Sequence, residues 1–271
     1  MAVVQPAAQR RLSTPTLVVL VFVIWLVPQF AAVFIVPGLV DGPSYDSVKG
    51  IVQLELLPKA GTALLAAWLI VKLGWWNDVW RERFTVERWV LVVPVGMVVV
   101  ALATTDVANL VSAGLGMTAL LAVTVAFTGI NEELVFRGLA LRALRDRHTE
   151  VRAAVWSSVF FGLFHLVNIV TDGGAAVLQS IWAISAGYLL YLCRRVGGGI
   201  ALAMVVHAIW DFGSFSPFLA NSEALAAGRT FLQFLSVLIL LIVVIVRRRA
   251  IPATPRELSL PPPPAAAPAP G

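Results

Sequence analysis

The stretch Gly129-Ile-Asn-Glu-Glu-Leu-Val-Phe-Arg-Gly138 places three charged side chains inside a long apolar run. The whole chain of 271 residues is 59% hydrophobic and only 13% charged, and its mean hydropathy is +0.88. Apolar runs of about 20 residues, the length that crosses a bilayer, recur along it. Helices of a soluble domain need a polar face, so this pattern predicts an all-α fold, a polytopic transmembrane helix bundle.

The hydropathy pattern predicts about eight membrane spans. They are residues 16–40, 50–73, 89–111, 117–141, 153–170, 175–192, 198–215 and 230–246. The stretch that carries the charges therefore belongs to the fourth span.

Basic residues predict how these spans are oriented, because Lys and Arg near span ends are retained on the cytoplasmic side. With both termini in the cytoplasm, 16 of the 20 Lys and Arg residues lie in cytoplasmic segments, and only Lys49 and Arg229 lie outside. Basic loops that face anionic lipid headgroups also account for the net charge of +5. We therefore predict a multi-pass protein of the cell membrane whose partner is the lipid bilayer, with no nucleic acid.

Titratable residues on three different spans lie at nearly the same depth. Glu132 is 10 residues from Arg142, which marks the cytoplasmic end of its span, and this separation is about 15 Å along a helix. His165 and His207 lie 13 and 12 residues into spans that start from the cytoplasm, which corresponds to about 18–20 Å. Isolated groups of this kind are costly in hydrocarbon, so we expect them to face one water-accessible cavity.

Helical spacing separates the two adjacent glutamates. Glu133 and Arg137 are four residues apart and share a helix face, which predicts an internal ion pair. Glu132 points about 100° away from that face. One glutamate is thus expected to be neutralised by arginine while the other stays free for chemistry.

Two further pairs have the same four-residue spacing. Asp211 is placed to orient the His207 ring, and Phe161 is placed against His165. One carboxylate and two imidazoles can activate water and stabilise an oxyanion, or bind a metal ion. Mid-membrane Glu, His and Asp residues are also typical of proton pathways, so a proton-coupled transporter is the alternative from another class.

The chain resembles a known family at these residues. Three motifs on separate spans match EExxxR, FxxxH and HxxxN/D of the CPBP intramembrane proteases, relatives of the type II CAAX prenyl protease also called the ABI family: Glu132-Glu133-Leu-Val-Phe-Arg137, Phe161-Gly-Leu-Phe-His165 and His207-Ala-Ile-Trp-Asp211. The resemblance covers about residues 117–215 and includes Asn168. Each motif alone is weak, and their order and common depth make the match specific.

The resemblance implies an intramembrane endopeptidase whose cavity opens toward the cytoplasm. It implies that Glu132 is the general base that activates water and that His165 assists it. It further implies that His207 and Asp211 stabilise the oxyanion. The eukaryotic prenyl-protein proteases have Asn where this chain has Asp211, while bacterial members of the family use either residue. An amide donates a hydrogen bond to an oxyanion, whereas an ionised carboxylate cannot.

Four other residues are implied to support the site: Glu133, Arg137, Phe161 and Asn168. Hydropathy, composition and the resemblance together predict a division of the chain into a cytoplasmic segment (1–15), scaffold helices (16–116), a catalytic core (117–215), a last loop and helix (216–250) and a disordered Pro/Ala-rich tail (251–271). CAAX-like tails or other membrane-associated peptides and proteins are the implied substrates. A non-catalytic scaffold or immunity protein is a further alternative.

The sequence leaves metal use open, although the family is often described as metalloproteases. Zinc sites draw on His and carboxylate ligands, so Glu132, His165, His207 and Asp211 would be the ligands if Zn²⁺ is used. The same residues could run a glutamate-base mechanism without metal. We favour the metal-free chemistry and assign no cofactor.

Overall fold

The computed structural model describes residues 12–35, 44–84, 86–169, 173–219, 226–248 and 251. Within these ranges the regular structure is all helical, which confirms the predicted fold class. Most of the N-terminal segment 1–15 and of the Pro/Ala-rich tail 251–271 lies outside the described residues, so the predictions for them stay predictions.

The described residues form a series of helices. In chain order they are α1 Thr14–Ile35, α2 Val48–Lys72, α3 Trp76–Trp80, α4 Arg88–Thr104, α5 Val107–Arg145, α6 Glu150–Asn168, α7 Ala175–Val196, α8 Ile200–Phe218 and α9 Ala226–Val246. Wider π-helical turns interrupt two of them, at Ile51–Leu56 in α2 and at Leu134–Ala140 in α5.

Six helices among the described residues are long and apolar enough to cross a membrane, namely α2, α5, α6, α7, α8 and most of α9. The predicted span 16–40 overlaps α1, in which Pro15–Trp25 is a shorter apolar stretch, and the predicted span 89–111 overlaps α4, a shorter apolar helix. A fold with multiple candidate membrane spans is therefore confirmed. The count of eight spans and the cytoplasmic position of both termini stay predictions.

The prediction of one span over residues 89–111 is wrong at its C-terminal end. Helix α4 ends at Thr104, and α5 begins at Val107. The Asp106 side chain caps α5 by accepting a hydrogen bond from the backbone N–H of Asn109 at 3.0 Å, and the Asn109 side chain donates to the Ser216 carbonyl at 2.8 Å. Buried hydrogen bonds thus satisfy the polar groups at a helix break that hydropathy alone predicts as a continuous helix.

Helix α5 is too long to cross a bilayer as a straight rod. Its 39 residues would extend about 58 Å, whereas the hydrocarbon core is about 30 Å thick. The helix is kinked at Gly114, whose φ is 81°. The predicted fourth span, residues 117–141, follows this kink and carries the charged stretch.

Two glycines allow close crossings between the helices that carry the predicted site. A Cβ atom at Gly129 would lie 2.5 Å from the Met204 carbonyl oxygen, so α5 contacts α8 through backbone atoms. A Cβ atom at Gly162 would lie 2.5 Å from the Ser180 carbonyl oxygen, which brings α6 equally close to α7. Small residues at such crossings let membrane helices approach closely. The four helices α5 to α8 are thereby drawn together.

Candidate active site

His207 on α8 is the centre of the charged cluster. The ring is buried, and its Nδ1 lies 3.0 Å from Glu133 Oε1. Its Nε2 lies 3.6 Å from Glu132 Oε2 and 3.7 Å from Asp211 Oδ2. One imidazole therefore faces three carboxyl groups that come from α5 and α8.

The two adjacent glutamates have different surroundings. The Glu133 side chain is fully buried, whereas the Glu132 side chain is 23% exposed. This difference follows from the rotation of about 100° between consecutive helical residues. The hydrogen bond between Glu133 and His207 was missed by sequence reasoning, although their shared depth is a signal that could have indicated it.

The ion pair predicted from the spacing of Glu133 and Arg137 is formed. Arg137 Nη1 donates to Glu133 Oε1 at 2.8 Å, and Nη2 donates to the Gly187 carbonyl at 2.8 Å. The guanidinium carbon lies 4.4 Å from the centroid of the Phe161 ring, a geometry that favours a cation–π contact. Arg137 thus joins α5 to α6 and α7 while it neutralises Glu133.

Phe161 separates the two histidines of the cluster. Its ring packs edge-on against His165, with centroids 4.8 Å apart, and against His207 at 5.8 Å. His165 Nδ1 lies 2.8 Å from the Phe161 carbonyl oxygen. Since a carbonyl can only accept, this contact assigns the proton to Nδ1 and leaves Nε2 as the reactive nitrogen. His165 was predicted to assist Glu132. Its described contacts are with Phe161, whereas the histidine that lies 3.6 Å from Glu132 is His207.

Asn168 lies at the end of α6, where its side-chain amide donates to Gln179 Oε1 on α7 at 3.0 Å. This contact joins α6 to α7. The supporting role of Asn168 stays a prediction.

A second ion pair borders the cluster on the side of α2. Lys59 bonds to Glu55, and its Nζ lies 5.9 Å from the centroid of the Phe215 ring. Phe215 follows Asp211 by one turn of α8. Helix α2 therefore brings a cation to the edge of a cluster that holds three carboxyl groups.

The donor set for a metal ion is not assembled in the described part of the chain. No three His, Cys, Asp or Glu side chains there are grouped so that they could hold a metal ion. The proposed zinc ligands Glu132, His165, His207 and Asp211 are included in these residues. The zinc ligation named from the sequence stays a prediction, and the chemistry below is derived from the side chains alone.

At the end of the bundle that the basic residues predict to be cytoplasmic, acidic residues bind arginines from several helices. Glu82 accepts hydrogen bonds from Arg145 at 2.9 Å and from Arg194 at 2.8 Å, and Asp78 accepts from Arg142 at 2.7 Å. Burial opposes ionisation of Glu82, but Arg194 and Arg145 lower its pKa below the usual range. Burial also raises the pKa of Asp78, but nearby cations that include Arg142 lower it below the usual range.

The fold and the site together define a class of protein. The fold is an all-helical bundle with membrane-length helices, and the site is a buried histidine among carboxyl groups. The class is that of membrane proteins with an internal acid–base site. Residues 114–213 match the family model described as type II CAAX prenyl endopeptidase, Rce1-like. The chain therefore carries a domain of this protease family, as the three motifs predict. The family implies an intramembrane protease that acts on peptides. Comparisons with curated proteins and with solved structures give no match.

Proposed function

We propose that the protein is an intramembrane endopeptidase in which Glu132 activates the attacking water and His207 stabilises the oxyanion. The observation that carries this proposal is the position of His207 Nε2, 3.6 Å from Glu132 and 3.7 Å from Asp211. At this distance Glu132 and His207 Nε2 are close enough to act on one peptide bond, Glu132 on the attacking water and His207 on the carbonyl oxygen. The match over residues 114–213 supports the same reaction.

Glu132 is the proposed general base because it is the carboxylate of the pair that is partly exposed and is free of Arg137. It takes a proton from water as the water oxygen attacks the carbonyl carbon of the peptide. The same proton then passes to the amine nitrogen as the C–N bond breaks. His165, whose Nδ1 is held by the Phe161 carbonyl, assists through Nε2.

His207 is the proposed oxyanion partner. Glu133 accepts a hydrogen bond from His207 Nδ1 and fixes the ring plane. His207 Nε2 can then donate a hydrogen bond to the developing oxyanion when both ring nitrogens are protonated. Asp211 holds the ring from the next turn of α8, or donates itself when it carries a proton. Arg137 balances the charge of Glu133 and keeps this support rigid.

The proposed substrates are peptides or membrane-protein tails, including CAAX-like tails, that reach the cavity from the cytoplasm. The predicted topology supports this side, because Arg142 at the cytoplasmic end of the span is only 10 residues from Glu132. The proposed location is the cell membrane.

The test compares the peptide termini of membrane proteins in cells that express wild type, Glu132→Gln or Glu87→Gln. Glu87→Gln is the matched control, because it makes the same chemical change at an exposed residue before α4. We expect termini that appear with wild type and Glu87→Gln to disappear with Glu132→Gln, at equal protein abundance. Identical termini for wild type and Glu132→Gln would refute the peptidase and favour the transporter or scaffold alternatives.

A further inference from the structure

Arg194 is buried at the cytoplasmic end of α7, where only 1% of its surface is exposed. All three nitrogens of its guanidinium group are hydrogen bonded. Nε donates to Glu82 Oε2 at 2.8 Å, Nη2 donates to the Asp78 carbonyl at 2.7 Å, and Nη1 donates to the Arg137 carbonyl. The planar fork of arginine is suited to hold several acceptors in fixed directions.

The Arg137 carbonyl belongs to the π-helical segment Leu134–Ala140 of α5. A π-helical turn shifts the backbone hydrogen bonds from the fourth to the fifth residue and is frequent at functional sites. The bond from Arg194 therefore reaches α5 where its backbone departs from the α-helix. It also reaches the residue whose side chain neutralises Glu133.

A continuous series of buried contacts then leads to the catalytic histidine. The Arg137 side chain donates to Glu133 at 2.8 Å, and the same oxygen, Glu133 Oε1, is 3.0 Å from His207 Nδ1. Any shift of the Arg137 backbone changes where its side chain can hold Glu133. The ring plane of His207 depends on that carboxylate.

We propose that Arg194 is a positioning residue for the acid–base site. It fixes the backbone of α5 at Arg137 and, through Glu133, sets the orientation of the His207 ring. Its effect on turnover rests on the proposed peptidase function, whereas its effect on the His207 ring does not.

The chain offers a matched control at the next residue. Arg195 is also buried at the end of α7, but it donates to the Tyr191 hydroxyl at 2.6 Å and to the Phe84 carbonyl at 3.3 Å. Arg194→Lys and Arg195→Lys both retain the positive charge and both remove the guanidinium fork. Arg194→Lys alters the hydrogen bond to the Arg137 carbonyl, whereas Arg195→Lys alters the hydrogen bonds to Tyr191 and Phe84.

The test uses the purified full chain with isotope-labelled histidine. The protein contains 3 histidines, so the His207 ring signals can be assigned with single His→Gln variants. We expect Arg194→Lys to shift the His207 ring signals and to lower kcat about ten- to a hundredfold with little change in KM. Arg195→Lys should leave the His207 signals and kcat close to wild type.

Unchanged His207 signals in Arg194→Lys, or equal shifts in both variants, would overturn the proposal. If Arg194→Lys does not accumulate, Glu82→Gln is measured instead, since it weakens the charged acceptor of Arg194 Nε. It should shift the same His207 signals by a smaller amount, and unchanged signals would again overturn the proposal. A wild-type protein without peptidase activity would refute the proposed function and leave the ring measurement as the test of positioning.

Discussion

The two nitrogens of the His207 ring have different neighbours, and the proposed mechanism depends on this difference. Glu133 takes Nδ1, and Nε2 is left between Glu132 and Asp211. A histidine held on one side and open on the other can donate a hydrogen bond in a direction set before the substrate arrives. Such preorganisation supplies much of the rate enhancement in acyl-transfer enzymes.

Glu133→Gln should destabilise the protein, because it leaves the Arg137 guanidinium buried without an anionic partner. Removing one partner of a buried ion pair typically costs about 3–5 kcal/mol. We expect a lower abundance in membranes and a lower unfolding temperature in detergent. Glu132→Gln is the control, because Glu132 is partly exposed and does not pair with Arg137. Equal unfolding temperatures for wild type and Glu133→Gln would contradict the structural role.

Asp211→Asn separates the metal-free mechanism from a zinc mechanism. If Asp211 supports His207 or donates to the oxyanion, the amide of Asn has nearly the same shape and also donates, so peptide cleavage should survive. If Asp211 were a zinc ligand, the change would remove an anionic oxygen and weaken metal retention. The measurement is cleavage by both proteins with and without chelator, together with their metal content. Chelator-sensitive cleavage that zinc restores and that Asp211→Asn loses would rule out the metal-free mechanism.

The residues of the site could largely be selected from the sequence, because charge is rare in this chain and helical depth is simple to count. Spacing also predicted the Glu133–Arg137 pair. The contact of Glu133 with His207 depends on how α5 is rotated against α8, which depth does not specify. Arg194 is one of the 16 basic residues that the sequence places in cytoplasmic segments, and that count does not predict that its side chain is buried. The catalytic roles of Glu132, His165, His207 and Asp211 stay predictions.

At the scale of the helices, the site is built at crossings where backbone touches backbone. Gly129 lies three residues before Glu132, and Gly162 follows Phe161, so each close crossing is next to a residue of the site. Sequence patterns located most of these helices correctly, since each is a long apolar run. They failed between α4 and α5, where buried side-chain hydrogen bonds replace the usual polar loop.

Gly162→Ala should disturb the crossing of α6 and α7. The added methyl group would lie 2.5 Å from the Ser180 carbonyl oxygen, so the helices must move apart, and overpacking of this kind costs about 1–3 kcal/mol. We expect a lower unfolding temperature and reduced cleavage. Gly116→Ala serves as the control, since a Cβ atom there meets nothing within 4 Å. Similar behaviour of both variants would show that the crossing has no special need for glycine.

At the scale of the whole molecule, the distribution of basic residues predicts the orientation in the membrane. Reporter fusions at Arg147 and Arg249 should report the cytoplasm, and a fusion at Asp172 should report the opposite side. Arg249 and Asp172 lie outside the residues that the structure describes. An external Arg147 fusion would overturn the proposed access from the cytoplasm, whatever the activity of the protein.

The bond between Arg137 and the Gly187 carbonyl has a consequence for biosynthesis. The two residues are 50 positions apart, so the ribosome must complete α6 and much of α7 before this bond can form. An arginine inside an inserting helix carries an insertion cost, which reaches about 2.5–3.5 kcal/mol at the helix centre on the scale measured with the translocon. The nascent α5 therefore enters the lipid with Glu133 as partner and gains its second acceptor only after α7 arrives. Chains truncated before Gly187 should for this reason be recognised by membrane quality control and degraded.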